Sequence, residues 1–483
     1  MKIATGLAEL EEQVASDLQR IAWPSAHWVK PRTAPDGSDA LNVLIIGGGQ
    51  GGLALGFQLM RERVDRVLIV DRSPPDQRGP WETYGRMLTL RSPKFTTGPD
   101  LDIPSLTFQS WFTAQHGDAA WQALGKIPKE MWGAYLAWYE KVLDLPVQQP
   151  VEVTALETRA DLVQVRLTTP GGPQTLYARH VILATGIEST GKWWMPGILR
   201  DLPGDHCQHA GEEIDFTRLV GKTVAVLGAG ASAFDNAATA LEAGAGHVHL
   251  FWRRRDLQRI QPYKHISYTG FLRHMGDLDD ADRWRFMCHL LNLREAFPAE
   301  TWERVTRHPN VTLHSGCDWT GAGLSGDGRV VLQTAQGPFT ADHVIAGTGF
   351  DVDPAGCPLL APMAPQIAQW ADMYQPAAGE EDPRLARYPY LGKAFELLPK
   401  PAQDAAGLSR IRLFTFGATM SFGPSGSSIN ALKVSVPRLV SGITRDLFRE
   451  DAAAHFDDMV AYDTPEFPLT MARDIGNART GTD

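Results

Sequence analysis

One construction occurs twice in this chain, and that repetition limits the possible folds more than any other feature. LNVLIIG, from Leu41, is an apolar run that enters GGGQGG and continues into LALGFQLMRERV, whose apolar spacing is helical. A second apolar run, RVLIVD, ends at Asp71. Strand, glycine turn, amphipathic helix and strand within about thirty residues form the unit that builds a parallel sheet. TVAVLG at 223–228, then GAGASA, the helical FDNAATALEA and VHLFWR at 248–253 repeat it. The two units are too distant along the chain to share one sheet cheaply. Two nucleotide-binding domains are expected.

The turns carry the chemistry. In Gly47-x-Gly49-x-x-Gly52 the first glycine permits a tight turn. The second lets backbone approach a pyrophosphate, and the third lets helix and strand pack closely. The helix N-terminus then offers free amides to the phosphates. Asp71, at the end of the next strand, is placed to accept bonds from an adenosine ribose. This site suits FAD, with NAD as the alternative. The second turn is Gly228-x-Gly230-x-x-Ala233, with Ser232 inside it. Its following strand ends not in an acid but in Arg253, Arg254 and Arg255. A guanidinium pairs with a 2′-phosphate that a carboxylate would repel, so this site suits NADPH. Lys264 is a further candidate for the same phosphate.

With both motifs in order, the sequence resembles the two-dinucleotide flavoprotein monooxygenases, which include the flavin-containing monooxygenases, the Baeyer–Villiger enzymes and the amine N-hydroxylases. The resemblance spans roughly residues 40–450. It rests on GGGQGG, Gly79-Pro80-Trp81, VILATG, GAGASA, the arginine cluster and IAGTGF ending at Phe350. It implies an α/β fold of two Rossmann-like three-layer domains, the NADPH domain inserted in the FAD domain. The implied division is a helix and arm at 1–40, FAD domain at 41–195, NADPH domain at 196–345, and the rest of the FAD domain at 346–483. Residues 255–300 read as a mostly helical insertion.

The resemblance also implies site residues. Ala184-Thr185-Gly186 and Gly347-Thr348-Gly349 resemble the chain crossings between the domains, and Trp81 a flavin-contacting tryptophan. Gly417 is expected near the flavin, with Ser427 and Asn430 as polar contacts at the start of the last helix. Arg91 and Ser92 fall where related enzymes carry polar residues over the flavin. The implied reaction is FAD- and NADPH-dependent oxygenation of a small molecule by O2 through a flavin C4a-hydroperoxide. Nitrogen or sulfur is the preferred acceptor, N-hydroxylation above all. Carbonyl oxygenation is disfavoured because the Baeyer–Villiger fingerprint Phe-x-Gly-x-x-x-His-x-x-x-Trp is broken. Leu202 stands for Phe, Gln208 for His, with His209 one residue late, and Glu212 for Trp. An NADPH-dependent reductase or oxidase serving a protein partner is the other alternative.

Composition narrows the rest. The net charge of −10 disfavours a dedicated nucleic-acid binder. Four scattered cysteines include no Cys-x-x-Cys pair, which excludes a dithiol reductase and a thiolate metal centre. The N-terminus has no apolar core or basic start and reads as an amphipathic helix with Leu7, Leu10, Val14, Leu18 and Ile21 on one face. With no apolar run long enough to span a bilayer, a soluble cytoplasmic protein is expected, with a homodimer as the default assembly. Of the 14 tryptophans, most of them expected in the core as large aromatics usually are, Trp111, Trp121, Trp132 and Trp138 crowd the 84–140 segment, and Trp193 and Trp194 follow the first crossing. Segments 84–140 and 255–300 are expected to shape the substrate pocket.

Overall fold

A computed structural model describes residues 4–77, 79–187 and 189–467. Its two principal sheets are built on the two repeated units. In the first, Leu41–Ile46 lies between Val67–Val70 and the long strand Gly172–Leu183, parallel to both. Val147–Gln148 adds beyond Val67–Val70. The long strand serves two structures: its first half pairs antiparallel with Val163–Thr169, which pairs in turn with Glu152–Thr158. Its second half also accepts Ile411–Leu413 in parallel, Leu413 opposite Leu183. The chain therefore returns to its first sheet more than two hundred residues after leaving it.

The second sheet is wholly parallel, in the order Val311–Ser315, His247–Trp252, Thr223–Leu227, His343–Ala346 and Cys207–His209. A three-stranded antiparallel sheet (Trp319–Leu324, Val330–Thr334 and Gly337–Ala341) leads into it. Central strands of such sheets are covered on both faces, which explains their uninterrupted apolar runs. Val43, Leu44 and Ile45 in one sheet, and Val224, Ala225 and Val226 in the other, are fully buried.

Helix Leu7–Arg20 lays Leu10 and Val14 into the first core, with Leu7 and Leu18 half-buried beside them. Ile21 is a correction: the helix ends at Arg20, and Ile21 is exposed. Trp111, Trp121, Trp132 and Trp138 are all buried, on helices Phe108–Ala123 and Lys129–Val142. Their place is the core, where large aromatics bury the most surface. Segment 255–300 is helical, with Pro262–His265, Thr269–His274, Asp280–Leu293 and the start of Ala299–Thr306. Its Phe271, Trp284 and Met287 form a separate core with Trp370, Leu385, Tyr388 and Met420. The insertion thus packs on the returning chain. Among the described residues, no helix is long and apolar enough to cross a membrane.

Candidate functional site

The first glycine turn is held by contacts only glycine permits. Gly47 has φ +111°, and a Cβ there would lie 2.4 Å from the Ala184 carbonyl oxygen. A Cβ on Gly52 would lie 1.8 Å from the Gly47 oxygen. Gly49 differs: nothing lies within 4 Å of its Cβ position, and it caps helix Gln50–Arg61 without any side-chain hydrogen bond. An open glycine at an uncapped helix N-terminus is a cradle for phosphate. The Asp71 carboxylate accepts from Gly48 N–H at 2.7 Å and Ser73 N–H at 2.8 Å, so it sits directly against the turn. Gln50 is oriented by Trp132, whose indole N–H donates to it at 3.2 Å. Trp81 is half-buried beside Gly79, which has φ +70°.

The second turn repeats this geometry. Gly228 has φ +141°, and its Cβ would lie 2.2 Å from the Gly347 carbonyl oxygen. Gly347 in turn leaves no room for a Cβ, which would fall 2.5 Å from that of Ala233. Gly230 is open and caps helix Ala231–Glu242 with no side-chain bond, and Ser232 is exposed in the first helical turn. Both cradles fit a dinucleotide pyrophosphate.

The two crossings meet. Phe350–Val352 pairs antiparallel with Gly191–Trp193, tying the exits of both sheets into one ribbon. Gly186 and Gly349 take φ +108° and +84° beside it. Thr185 donates to the Ser189 hydroxyl at 2.7 Å, and Thr190 and Thr415 share a short hydroxyl–hydroxyl bond. Gly417 lies against Thr190, where a Cβ would come within 2.6 Å, and its N–H donates to Thr415 Oγ1 at 3.2 Å. His209 also belongs here. Its ring stacks on Trp193 with centroids 4.7 Å apart, and its Nδ1 accepts from Gly211 N–H at 3.0 Å. Burial drives its pKa down to about 4, so the imidazole is neutral.

The returning chain closes on the first cradle. Gly51 would place a Cβ 3.3 Å from the Phe414 ring and 4.0 Å from the Gly426 oxygen. Helix Ile429–Glu450 begins just after this contact. Asn430 donates to the Ser267 hydroxyl at 3.0 Å and accepts from Ser428 at 2.5 Å, which ties the helix start to the insertion. Ser427 is half-buried in the same loop.

Arg91 reaches across to the second unit. Its Nη2 lies 3.4 Å from Asp235 Oδ2 and its Nη1 3.8 Å from Glu295. Asp235, buried on helix Ala231–Glu242, also accepts from Thr301 at 3.0 Å and from Arg304 Nη1 at 3.4 Å. Arg304 donates further to the Arg86 carbonyl at 3.1 Å. Arg91, Thr301 and Arg304 line a cleft of about 300 Å³ with Met87, Leu88 and Lys126. Ser92 follows Arg91, half-buried. Burial raises the pKa of Asp235 despite the neighbouring guanidiniums. Sequence reasoning missed Asp235. Its signal was an acid on the buried face of the second helix, where the first helix has Ala54.

Arg253, Arg254 and Arg255 are exposed at the end of His247–Trp252, whose Phe251 carbonyl accepts from Gly228 N–H at 2.9 Å. Desolvation first, then the charges of Arg384, Arg254 and Arg253, lower the pKa of Arg294, so these three guanidiniums act on it electrostatically. Lys264 is exposed and acts on Glu300, whose carboxyl is held low by hydrogen bonds, one of them from Lys126, and by the charges of both lysines.

The chain is similar to known proteins. Residues 44–188 match a family described as FAD-NAD(P)-binding. Residues 123–285 match the L-lysine 6-monooxygenase/L-ornithine 5-monooxygenase family. The chain is 41% identical over 462 residues to the FAD-dependent urate hydroxylase of Xanthomonas campestris pv. campestris, covering 95% of this chain and 97% of that protein. It superposes on the ornithine N-hydroxylase of Kutzneria sp. 744 with a TM-score of 0.65 at 20% identity, over 84% of this chain and 99% of that one. For the L-lysine 6-monooxygenase of Pseudomonas syringae the TM-score is 0.63 at 18% identity, over 84% and 99%. At these identities the two structures show the shared fold.

Proposed function

This chain belongs to the flavin-dependent monooxygenase family of the urate hydroxylase it matches, and from that premise we propose that it hydroxylates a urate-like, electron-rich heteroaromatic substrate with NADPH as hydride donor. The observation that carries this reading is 41% identity over 462 residues, 95% of the chain. FAD, when bound, supplies hydride acceptance and dioxygen activation; one oxygen atom goes to the substrate and the other leaves as water.

The chain's own residues have separable roles in this reading. Gly47, Gly49 and Gly52 seat the FAD pyrophosphate, and Asp71 holds the ribose. Trp81, Thr185, Gly186, Gly417 and Ser427 border the ring, with Ser92 and Asn430 toward the substrate. The N-terminus of helix Ile429–Glu450 favours negative charge on its neighbours. Gly228, Gly230, Ser232, Ala233 and Gly349 seat the nicotinamide dinucleotide. Arg253 and Arg254 take the 2′-phosphate, which guanidiniums bind through paired charge-assisted hydrogen bonds. Lys264 is a further contact for the 2′-phosphate, and Arg91 acts at the cleft. The domain division at 40, 195 and 345 is part of this proposal, as is a homodimeric assembly.

A second reading is N-hydroxylation of an amine. The match of residues 123–285 to the lysine and ornithine monooxygenase family favours it. Substrate-dependent NADPH oxidation separates the two. Purified protein should be yellow, and urate should accelerate NADPH and O2 consumption with a hydroxylated product. Acceleration by ornithine, lysine or cadaverine with urate inert would establish the second reading instead. NADPH oxidation that no substrate couples to oxygenation would overturn both.

A further inference from the structure

The cleft at Arg91 takes one wall from each cofactor-binding unit. Residues within 87–91 and 125–126 form the first wall, and residues within 298–304 the second. Both walls are fixed. Leu90 N–H donates to the Ile127 carbonyl at 2.8 Å. Lys129 N–H donates to the Leu88 carbonyl at 3.2 Å, at the start of the helix whose Trp132 holds Gln50 at the first cradle. Opposite, Phe297 stacks on Phe234 with centroids 4.2 Å apart, and Thr301 donates to Asp235. Phe234 and Asp235 both lie on the helix that begins at the second cradle. The volume of about 300 Å³ is at the small end of ligand pockets, which run ~300–1,000 Å³.

The lining combines apolar surface with an excess of cations. Met87, Leu88 and Pro298 supply the first, while Arg91, Lys126 and Arg304 stand against one acid, Glu300. The three cations are not equally committed. Arg304 directs Nε and Nη2 to Glu242, at 3.1 and 2.8 Å, and Nη1 to Asp235 and the Arg86 carbonyl. Lys126 Nζ is 3.0 Å from Glu300. Arg91 reaches its two acids only at 3.4 and 3.8 Å, longer than the about 2.7–2.9 Å of a charge-assisted hydrogen bond. Among the described residues its Nε has no partner. A guanidinium with donors to spare fits a planar anion that offers two acceptors side by side. The deprotonated N–C–O edge of an oxo-heterocycle is such an anion, and an alkyl ammonium is not. We propose that this cleft holds the oxygenated substrate as a monoanion, with Arg91 paired to its deprotonated edge and its ring against Leu88 and Pro298. The inference rests on the urate-like substrate proposed above, and adds which ionisation state is bound and which residue selects it. Asp235 acts through Arg91 and is a positioning residue.

Steady-state oxygenation of urate by the FAD-loaded enzyme, followed on either side of the substrate's own pKa, tests it. In the wild type the KM for urate should rise about tenfold per pH unit below that pKa, as the anion is withdrawn. Arg91→Gln should raise the KM about tenfold or more at neutral pH, the loss of a hydrogen bond to a charged group, and should flatten the rise at lower pH. Leu88→Trp is the second variant. Leu88 is 54% exposed, so an indole there crowds the cleft without disturbing the core. It should raise the KM for urate at unchanged melting temperature and FAD content. A KM that Leu88→Trp leaves alone, or a pH dependence equally steep in the wild type and Arg91→Gln, overturns this inference while the urate reading stands. A wild type that oxygenates no urate overturns both.

Discussion

Arg91 Nη2 stands 3.4 Å from Asp235 Oδ2, and this pair joins the loop after the first cradle to the helix of the second. Asp235 accepts from three donors, yet burial still raises its pKa. The fold therefore disfavours its charge on balance. The contact between Asp235 and Arg91 is expected to align the two units rather than to stabilise the fold.

Replacing Asp235 with Asn should leave the protein folded and slow it. Arg304 keeps Glu242, at 2.8 Å, and Arg91 keeps Glu295, so neither guanidinium loses every acid. The melting temperature should move by less than about 3 °C, the shift ~1 kcal/mol produces in a domain of this size. Flavin reduction by NADPH should slow about tenfold, equivalent to ~1.4 kcal/mol, while reduction by dithionite is unaffected. Stopped-flow absorbance of both reductions measures the difference.

Gly228→Ala should separate the two cofactors. The new Cβ would sit 2.2 Å from the Gly347 oxygen at φ +141°, which only the second turn feels. The variant should purify yellow with full FAD content and yet oxidise nicotinamide dinucleotides poorly. Gly47→Ala should instead lose FAD, since its Cβ collides with Ala184 at 2.4 Å. Flavin content by absorbance distinguishes them.

Arg253→Ala and Arg254→Ala should each raise the KM for NADPH about tenfold to a hundredfold, the range expected from losing a hydrogen bond to a charged group worth ~1.5–3 kcal/mol. The KM for NADH should change little. Steady-state kinetics with both dinucleotides provides the check, and equal losses would remove the 2′-phosphate from these residues.

His209 should make the enzyme acid-sensitive. Its pKa falls from 6.5 to about 4 on folding, mainly through burial. Above pH 6.5 both folded and unfolded states hold it neutral and it contributes nothing. As pH drops from 6.5 toward 4 the unfolded state binds the proton first, so stability is lost by ~1.4 kcal/mol per pH unit from this group. His209→Gln should flatten that part of the stability profile. Urea titrations between pH 7 and 4 would show it, and parallel profiles would exclude the assignment.

Much of the fold was legible in the sequence. Apolar strands closing on glycine, followed by helical spacing, specify each unit locally, and 41–71 and 223–253 folded as read. The return to the first sheet through Ile411–Leu413 was legible through family resemblance. Ile21 was misread because periodicity does not say where a helix ends. The tryptophans at 111–138 lie in the core, as expected of large aromatics.

The sequence by itself determined that two dinucleotide cradles exist and that their following strands end in opposite charge. Those features depend on residues a few positions apart, whose geometry backbone sterics and hydrogen bonding largely dictate. Only the tertiary structure decided that the crossings join as a ribbon at Gly191–Trp193 and Phe350–Val352, that Thr190 meets Thr415, and that Asp235 receives Arg91. Those partners lie more than a hundred residues apart, and which of them meet depends on how the two sheets pack, which no local periodicity encodes.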